Sequence, residues 1–189
     1  QSDVDTLAHY NSQMTQFSDN GVIFHAPYGW RLRNHFGLDQ LIAVIKILRS
    51  EPNTRRAVLS IWDPSMDLGK PSKDIPCNDL IMFKIRDGEL NMTVCCRSND
   101  AILGAYGANA VQFSMIQEFV ARSVGVRVGV YRQISDSFHV YSSQPQWLRM
   151  CEAEISGDIY EIHGIEAFPI MKAFPPNTDY HLEWLRQLR

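Results

Sequence analysis

The chain has 189 residues, 45% apolar and 21% charged, which is enough for one domain with a sizeable core and ordinary for a soluble globular protein. Its 18 basic and 21 acidic side chains leave a net charge of −3, which argues against a general nucleic-acid binder but leaves room for a local cluster gripping one phosphate. No apolar run approaches the ~20 residues of a membrane span, no secretory leader is visible, and four cysteines without CxxC or zinc-type spacing fit reduced thiols in a cytoplasm.

Residues 1–20 are polar, with a weak helical pattern through Leu7, Tyr10, Met14 and Phe17, and Ser18–Gly21 reads as a turn. VIFHAPYGWRLR reads as an extended segment leading into a functional loop. Leu38–Arg49 places Leu38, Leu41, Ile42, Ile45 and Leu48 on one helical stripe, closed by Pro52 and Asn53. Arg55–Trp62 reads as a strand buried on both faces, opened by two arginines whose guanidinium forks suit phosphate oxygens.

A polar loop, Asp63–Asp74, leads to IPCND. Leu80–Ile85 and LNMTVCC then form a hairpin about Asp87-Gly88. Cys95 and Cys96 are adjacent on a strand and point to opposite faces as packing residues. RSND, Arg97–Asp100, ends that strand. A Gly-rich turn carries the chain to Asn109, a helix follows over Gln112–Ser123, and Gly125 and Gly129 mark its exit. YRQISDSFHVYS reads as a strand with His139 and Tyr141 on one face. Trp147–Ile155 reads as a helix, 157–174 as strand-like with breaks, and 181–189 as a short helix. With no repeat or boundary, 1–189 is read as a single domain.

The chemistry concentrates between Ile75 and Tyr141. A lone cysteine is usually a small buried hydrophobe; a reactive one needs its thiol acidified by nearby cations, for which Arg55, Arg56 and Arg97 are the candidates. IPCND, RSND, the Gly-rich turn with Asn109 and HVY, preceded by PYGWRLR and PNTRRAVLSIWDP, resemble the motifs of the thymidylate synthase and pyrimidine hydroxymethylase family, in that family's order, from about Asp19 to Tyr141.

The resemblance implies an α+β fold: a thymidylate synthase-like mixed sheet with packed helices, stacked sheet to sheet in a homodimer. It implies one-carbon transfer from 5,10-methylenetetrahydrofolate to C5 of a pyrimidine nucleoside monophosphate, with neither nucleic acid nor membrane as partner. In this picture Cys77 is the nucleophile. Tyr28 sits in the pyrimidine pocket and helps move protons through water. Arg97 and Ser98 clamp the phosphate from within the subunit, and Arg55 and Arg56 reach it across the dimer. His139 and Tyr141 hold the 3′-hydroxyl, and Asp100 and Trp62 contact the folate, although Asp100 could equally cap the following turn. Asn109 reads the base. Counting back from VARSVGVRVG gives Asn109, counting forward from RSND gives Ala108, and only the asparagine has an amide to read with.

The chain departs from the synthase pattern in three ways. Asn78 replaces the histidine that usually follows the nucleophile, no glutamate precedes Glu51 where the family carries its catalytic one on an N-terminal helix, and HLEWLRQLR does not resemble the tail that closes over folate. These departures favour hydroxymethylation over methylation, and the Asn109 amide, which can match both O4 and N3–H, favours a uracil nucleotide. The other readings are reductive methylation, action on a cytosine nucleotide, and an idle nucleotide-binding homologue.

Overall fold

A computed structural model of the chain describes residues 4–10 and 12–153, with Gly164, Glu183, Arg186 and Gln187 as isolated positions. The readings of strand over 157–174 and helix over 181–189 lie outside the described residues. Among the described residues, four strands form one sheet in the order β1-β2-β3-β4. They are β1 (Val58–Ser60), β2 (Asn78–Arg86), β3 (Glu89–Asp100) and β4 (Arg127–His139). The first three pair antiparallel and β3 pairs parallel with β4, so the sheet is mixed. Helices pack beside it: the architecture is α+β.

The β2–β3 hairpin closes through Asp87 (φ 53°) and Gly88 (φ 75°), with Arg86 opposite Glu89. Two consecutive left-handed residues are what a tight hairpin turn of matching twist demands. Helix α3 (Gln40–Ser50) starts when the Asp39 side chain accepts from the Ile42 amide at 3.1 Å. Leu38 precedes that cap and is exposed rather than on the stripe. Helix α5 (Asn109–Val124) ends at Gly125 in the left-handed conformation, three residues earlier at its start than periodicity suggests.

Helices α3 and α5 cover one face of the sheet. Ile45, Leu48, Leu59, Ile61, Ile81, Leu90, Val94, Phe113 and Val120 are fully buried between them. Among the described residues no helix covers the opposite face, where apolar side chains alternate with Lys84, Thr93 and Arg132. Val58 stands beside Met82, and Ile134 beside Cys95, with Val58, Met82, Val130 and Ile134 all exposed.

The structure corrects four element readings. Residues 22–33 are extended only as far as Pro27; Tyr28–Trp30 (α2) is a helical turn running into a π-helical turn over Arg31–His35. Strand β1 is three residues long and exposes Val58 and Ser60, because it is an edge strand with one face uncovered. The Gly-rich turn is a π-helical segment over Ala101–Ala108, capped by Asp100. Strand β4 begins at Arg127 and ends at His139, with Gly129 inside it beside a bulge, where a Cβ would stand 2.9 Å from Asn91 Oδ1. Helix α6 (Pro145–Glu152) matches the reading that starts at Trp147, its far end lying outside the described residues.

Candidate active site

Four segments converge on Cys77. It is half-buried one residue before β2, and its carbonyl accepts from the Arg97 amide at 3.0 Å, so the end of β3 carries Arg97 to it. The guanidinium donates from Nε to the Pro76 carbonyl at 2.7 Å and from Nη2 to the Ile75 carbonyl at 3.0 Å; Nη2 also lies 3.9 Å from the Cys77 sulfur. Of the three candidate cations, Arg97 is the one that acts on the Cys77 thiol, and burial outweighs it. Burial pushes the Cys77 thiol up; Arg97 pulls it down, less strongly, and Asp74 and Asp79 add to the rise.

Tyr28 comes from α2, its ring stacked at 6.2 Å on Phe113 of α5. Its hydroxyl oxygen accepts from the amides of Cys77 (3.2 Å) and Asn78 (3.3 Å) and from Asn78 Nδ2 (2.9 Å). Burial pushes the phenol up to about 12, so it stays protonated at neutral pH. The α2 segment is itself pinned. Arg31 and Asp67 are fully buried and paired at 2.7 Å. His25 meets the same carboxylate at 3.0 Å, and His35 meets Asp63 at 2.6 Å. Helix α4 (Pro64–Asp67) supplies Asp67, so the loop before Cys77 and the segment bearing Tyr28 are tied by buried charge.

Asn78 is a hub that sequence reading noted only as a substitution. Beyond Tyr28, its Nδ2 donates to Asn109 Oδ1 at 3.3 Å, and its Oδ1 accepts from the Cys96 thiol at 2.9 Å. Cys96 is buried and Cys95 half-buried on alternate faces, and burial pushes the Cys96 thiol up to about 11. Asn109 opens α5 with its side chain buried in this network, where Gln112 also donates to Oδ1 at 2.9 Å. Ala108, the other register, is exposed.

The remaining expected residues are spread around this centre. Ser98 is half-buried on β3, opposite Ser137. The rings of His139 and Tyr141 meet edge to face at 5.1 Å. Trp62 lies under the Arg97 guanidinium at 5.8 Å, in a cleft of about 340 Å³ with Ser60, Asp79 and Leu80. Asp100 Oδ1 accepts from the amides of Ile102 (2.9 Å) and Leu103 (2.7 Å), so its carboxylate caps the next turn. Arg55 and Arg56 are exposed and do not reach Cys77; Arg56 pairs with Glu51 at 2.7 Å on the surface.

Sequence reading missed Asn99, Gln112 and Gln133. The available signal was period two on β4, where Tyr131, Gln133 and Ser135 occupy positions facing the helices that a purely apolar core would fill. All four cysteines are free thiols. Among the described residues, no group of His, Cys, Asp and Glu is placed to hold a metal ion, and no helix is long and apolar enough to cross a membrane.

The sequence profile of the family described as thymidylate synthase matches residues 2–156. The chain is 52% identical over 141 residues to a deoxyuridylate hydroxymethyltransferase of Pseudomonas phage M6, covering 74% of this chain and 40% of that protein. It is 42% identical to the deoxyuridylate hydroxymethyltransferase of Bacillus phage SP01, covering 98% of this chain and 52% of that protein. The chain thus spans about half the length of these relatives. The crystal structure of thymidylate synthase from T4 phage superposes with a TM-score of 0.65 at 22% identity, covering 100% of this chain and 62% of that one, a likeness of fold.

Proposed function

The chain belongs to the thymidylate synthase family, and from that premise we propose that it hydroxymethylates C5 of deoxyuridylate, using 5,10-methylenetetrahydrofolate and a covalent adduct on Cys77. The observation that carries this reading is the grouping of one thiol, one guanidinium and one base-reading amide. Cys77 lies 3.9 Å from Arg97 Nη2, and Asn78 bridges Tyr28 beside Cys77 to Asn109.

C5 of a uracil ring is a poor nucleophile. Addition of the Cys77 thiolate at C6 moves the ring electrons so that C5 becomes enolate-like and nucleophilic. The folate supplies the electrophilic methylene. Once C5 has bonded to it and lost its proton, the carbon–nitrogen bond to the folate would break to release tetrahydrofolate, and water would add to the exocyclic carbon as Cys77 leaves C6, giving the hydroxymethyl group. Tyr28, protonated and buried, accepts from the Cys77 amide and would relay the C5 proton through water. Asn78 cannot carry a proton at neutral pH as an imidazole would. With the names of the two phage relatives, that supports water capture over hydride transfer.

Arg97 and Ser98 would hold the phosphate, and His139 and Tyr141 the 3′-hydroxyl. Asp100 and Trp62 would contact the folate, Asp100 while capping its turn. Arg55 and Arg56 would serve a second copy, docked on the sheet face that the described residues leave open and onto which Arg97 opens. Each site of the homodimer would then be shared.

Incubation with deoxyuridylate or deoxycytidylate and methylenetetrahydrofolate tests this reading, with product mass and dihydrofolate absorbance read together. Deoxyuridylate should gain CH2O with no dihydrofolate. A gain of CH2 with dihydrofolate would make the reaction reductive methylation. A preference for deoxycytidylate would overturn the base assignment, and no product from either would favour an idle nucleotide binder.

A further inference from the structure

Three side-chain amides stand in series between β4 and the start of α5. Gln133 donates from Nε2 to the Ala105 carbonyl at 2.9 Å. A backbone carbonyl only accepts, so this bond decides which end of the amide is which. Gln133 Oε1 therefore faces Asn99 and accepts from its Nδ2 at 2.9 Å, while Ser135 Oγ accepts from the same nitrogen at 3.0 Å. With its hydrogens committed, Asn99 turns Oδ1 toward Asn109, whose Nδ2 donates at 3.0 Å. Asn109 Oδ1 is left facing the donors of Gln112 and Asn78.

Asn99 is 2% exposed and Asn109 9%, so a flipped amide would set donor against donor away from water. The backbone at Gly104 lies against the Asn99–Asn109 bond. A Cβ there would stand 2.5 Å from Asn99 Oδ1 and 3.2 Å from Asn109 Nδ2. The relay is thus confined sterically as well as by polarity.

This matters because an asparagine amide is ambivalent. In one orientation it offers an acceptor to N3–H and a donor to O4 of uracil. Rotated by half a turn, it offers a donor to N3 and an acceptor to the amine of cytosine. Discrimination therefore requires that the amide be held. We propose that Gln133 and Asn99 are positioning residues that hold the Asn109 amide in one polarity, and that this relay sets the preference for uracil over cytosine. The inference rests on the reading that Asn109 recognises the base.

The test is the ratio of kcat/KM for deoxyuridylate to that for deoxycytidylate, with Kd ratios from calorimetry in parallel, in Asn99→Leu, Gln133→Leu, Asn99→Asp and Asn109→Asp. Loss of the relay should shrink the preference roughly tenfold in Asn99→Leu and Gln133→Leu, the scale of one unsatisfied buried group. Asn99→Asp keeps an acceptor toward Asn109 Nδ2 and should keep the ratio. Gln133 is only half-buried, so Gln133→Leu decides the matter if Asn99→Leu does not fold. Parallel losses on both nucleotides with an unchanged ratio would show that these amides only fill space. Collapse of the ratio in Asn99→Asp would also overturn the proposal. An unchanged ratio in Asn109→Asp would instead overturn base reading by Asn109. A shift there alone, with both leucine variants unchanged, would reject the relay and keep the base reading.

Discussion

Burial and charge oppose each other at Cys77. Burial raises the thiol, and Arg97, 3.9 Å from the sulfur, lowers it. Because the net shift is upward, the thiolate is the minor form at neutral pH. A reaction limited by thiolate should gain about tenfold in kcat/KM per pH unit on the acid side of the thiol's pKa. Arg97→Gln removes the lowering influence and should move that rising limb to higher pH; a pH profile of kcat/KM on both proteins checks this. Cys77→Ala should lose turnover while retaining nucleotide binding, and residual turnover above a few per cent of the unmutated protein would reject covalent catalysis. That Cys77 and Arg97 come together was legible because each sits in a short motif. Asn99 and Gln133 were not: period two on β4 turns Gln133 toward the helices, but its partnership with Asn99 depends on β3 and β4 lying parallel in a particular register, which that local pattern does not encode.

At the scale of elements, α2 holds its place through charge buried beneath it. Arg31 and Asp67 are fully buried and come from segments 36 residues apart, with His25 and His35 completing the tie. Removing one partner of such a pair strands the other. Asp67→Ala should therefore cost roughly 3–5 kcal/mol in urea unfolding and should lower kcat by loosening Tyr28. A loss below about 1 kcal/mol, the scale of a surface pair, would show that the pair does not organise the site. Elements closed by local chemistry were readable: the Asp87-Gly88 hairpin, α3 and the Gly125 cap. Elements whose form depends on distant partners were not. β1 is short and one-sided because it is an edge. The Gly-rich stretch is helical because the Asp100 carboxylate caps it and Gly107, at φ −111°, takes up the kink. A Cβ at Gly107 would meet the Ile102 carbonyl at 2.6 Å.

On the scale of the whole molecule, the described residues finish the sheet on one face only. The other presents Val58, Met82, Val130 and Ile134 to solvent, next to the cleft holding Trp62 and Arg97. A second copy laid on this face would bury it and bring arginines toward the phosphate end of the site. Ile134→Glu should therefore leave a folded monomer, by sedimentation, with nucleotide turnover largely lost; a dimeric, active Ile134→Glu protein would rule out this interface. Mixing Cys77→Ala chains with Arg56→Ala chains should restore part of the activity, since one site of each heterodimer would hold an intact cysteine and a donated arginine. Heterodimers that form without recovery would place the whole site within one subunit. Pairing of copies is an expectation of the family resemblance alone, because an edge strand reading VLS does not announce which of its faces will be left bare.

The proposed catalysis turns on a bond between the Cys77 sulfur and C6 of a uracil ring. Fluorine at C5 of deoxyuridylate blocks the loss of a proton that would release the enzyme, so a covalent complex should persist once methylenetetrahydrofolate is added. Intact mass and peptide mapping should then find one nucleotide per chain on the Cys77 peptide, and none in Cys77→Ala. An adduct on Cys95, Cys96 or Cys151, or no adduct under conditions where the nucleotide is bound, would contradict the account.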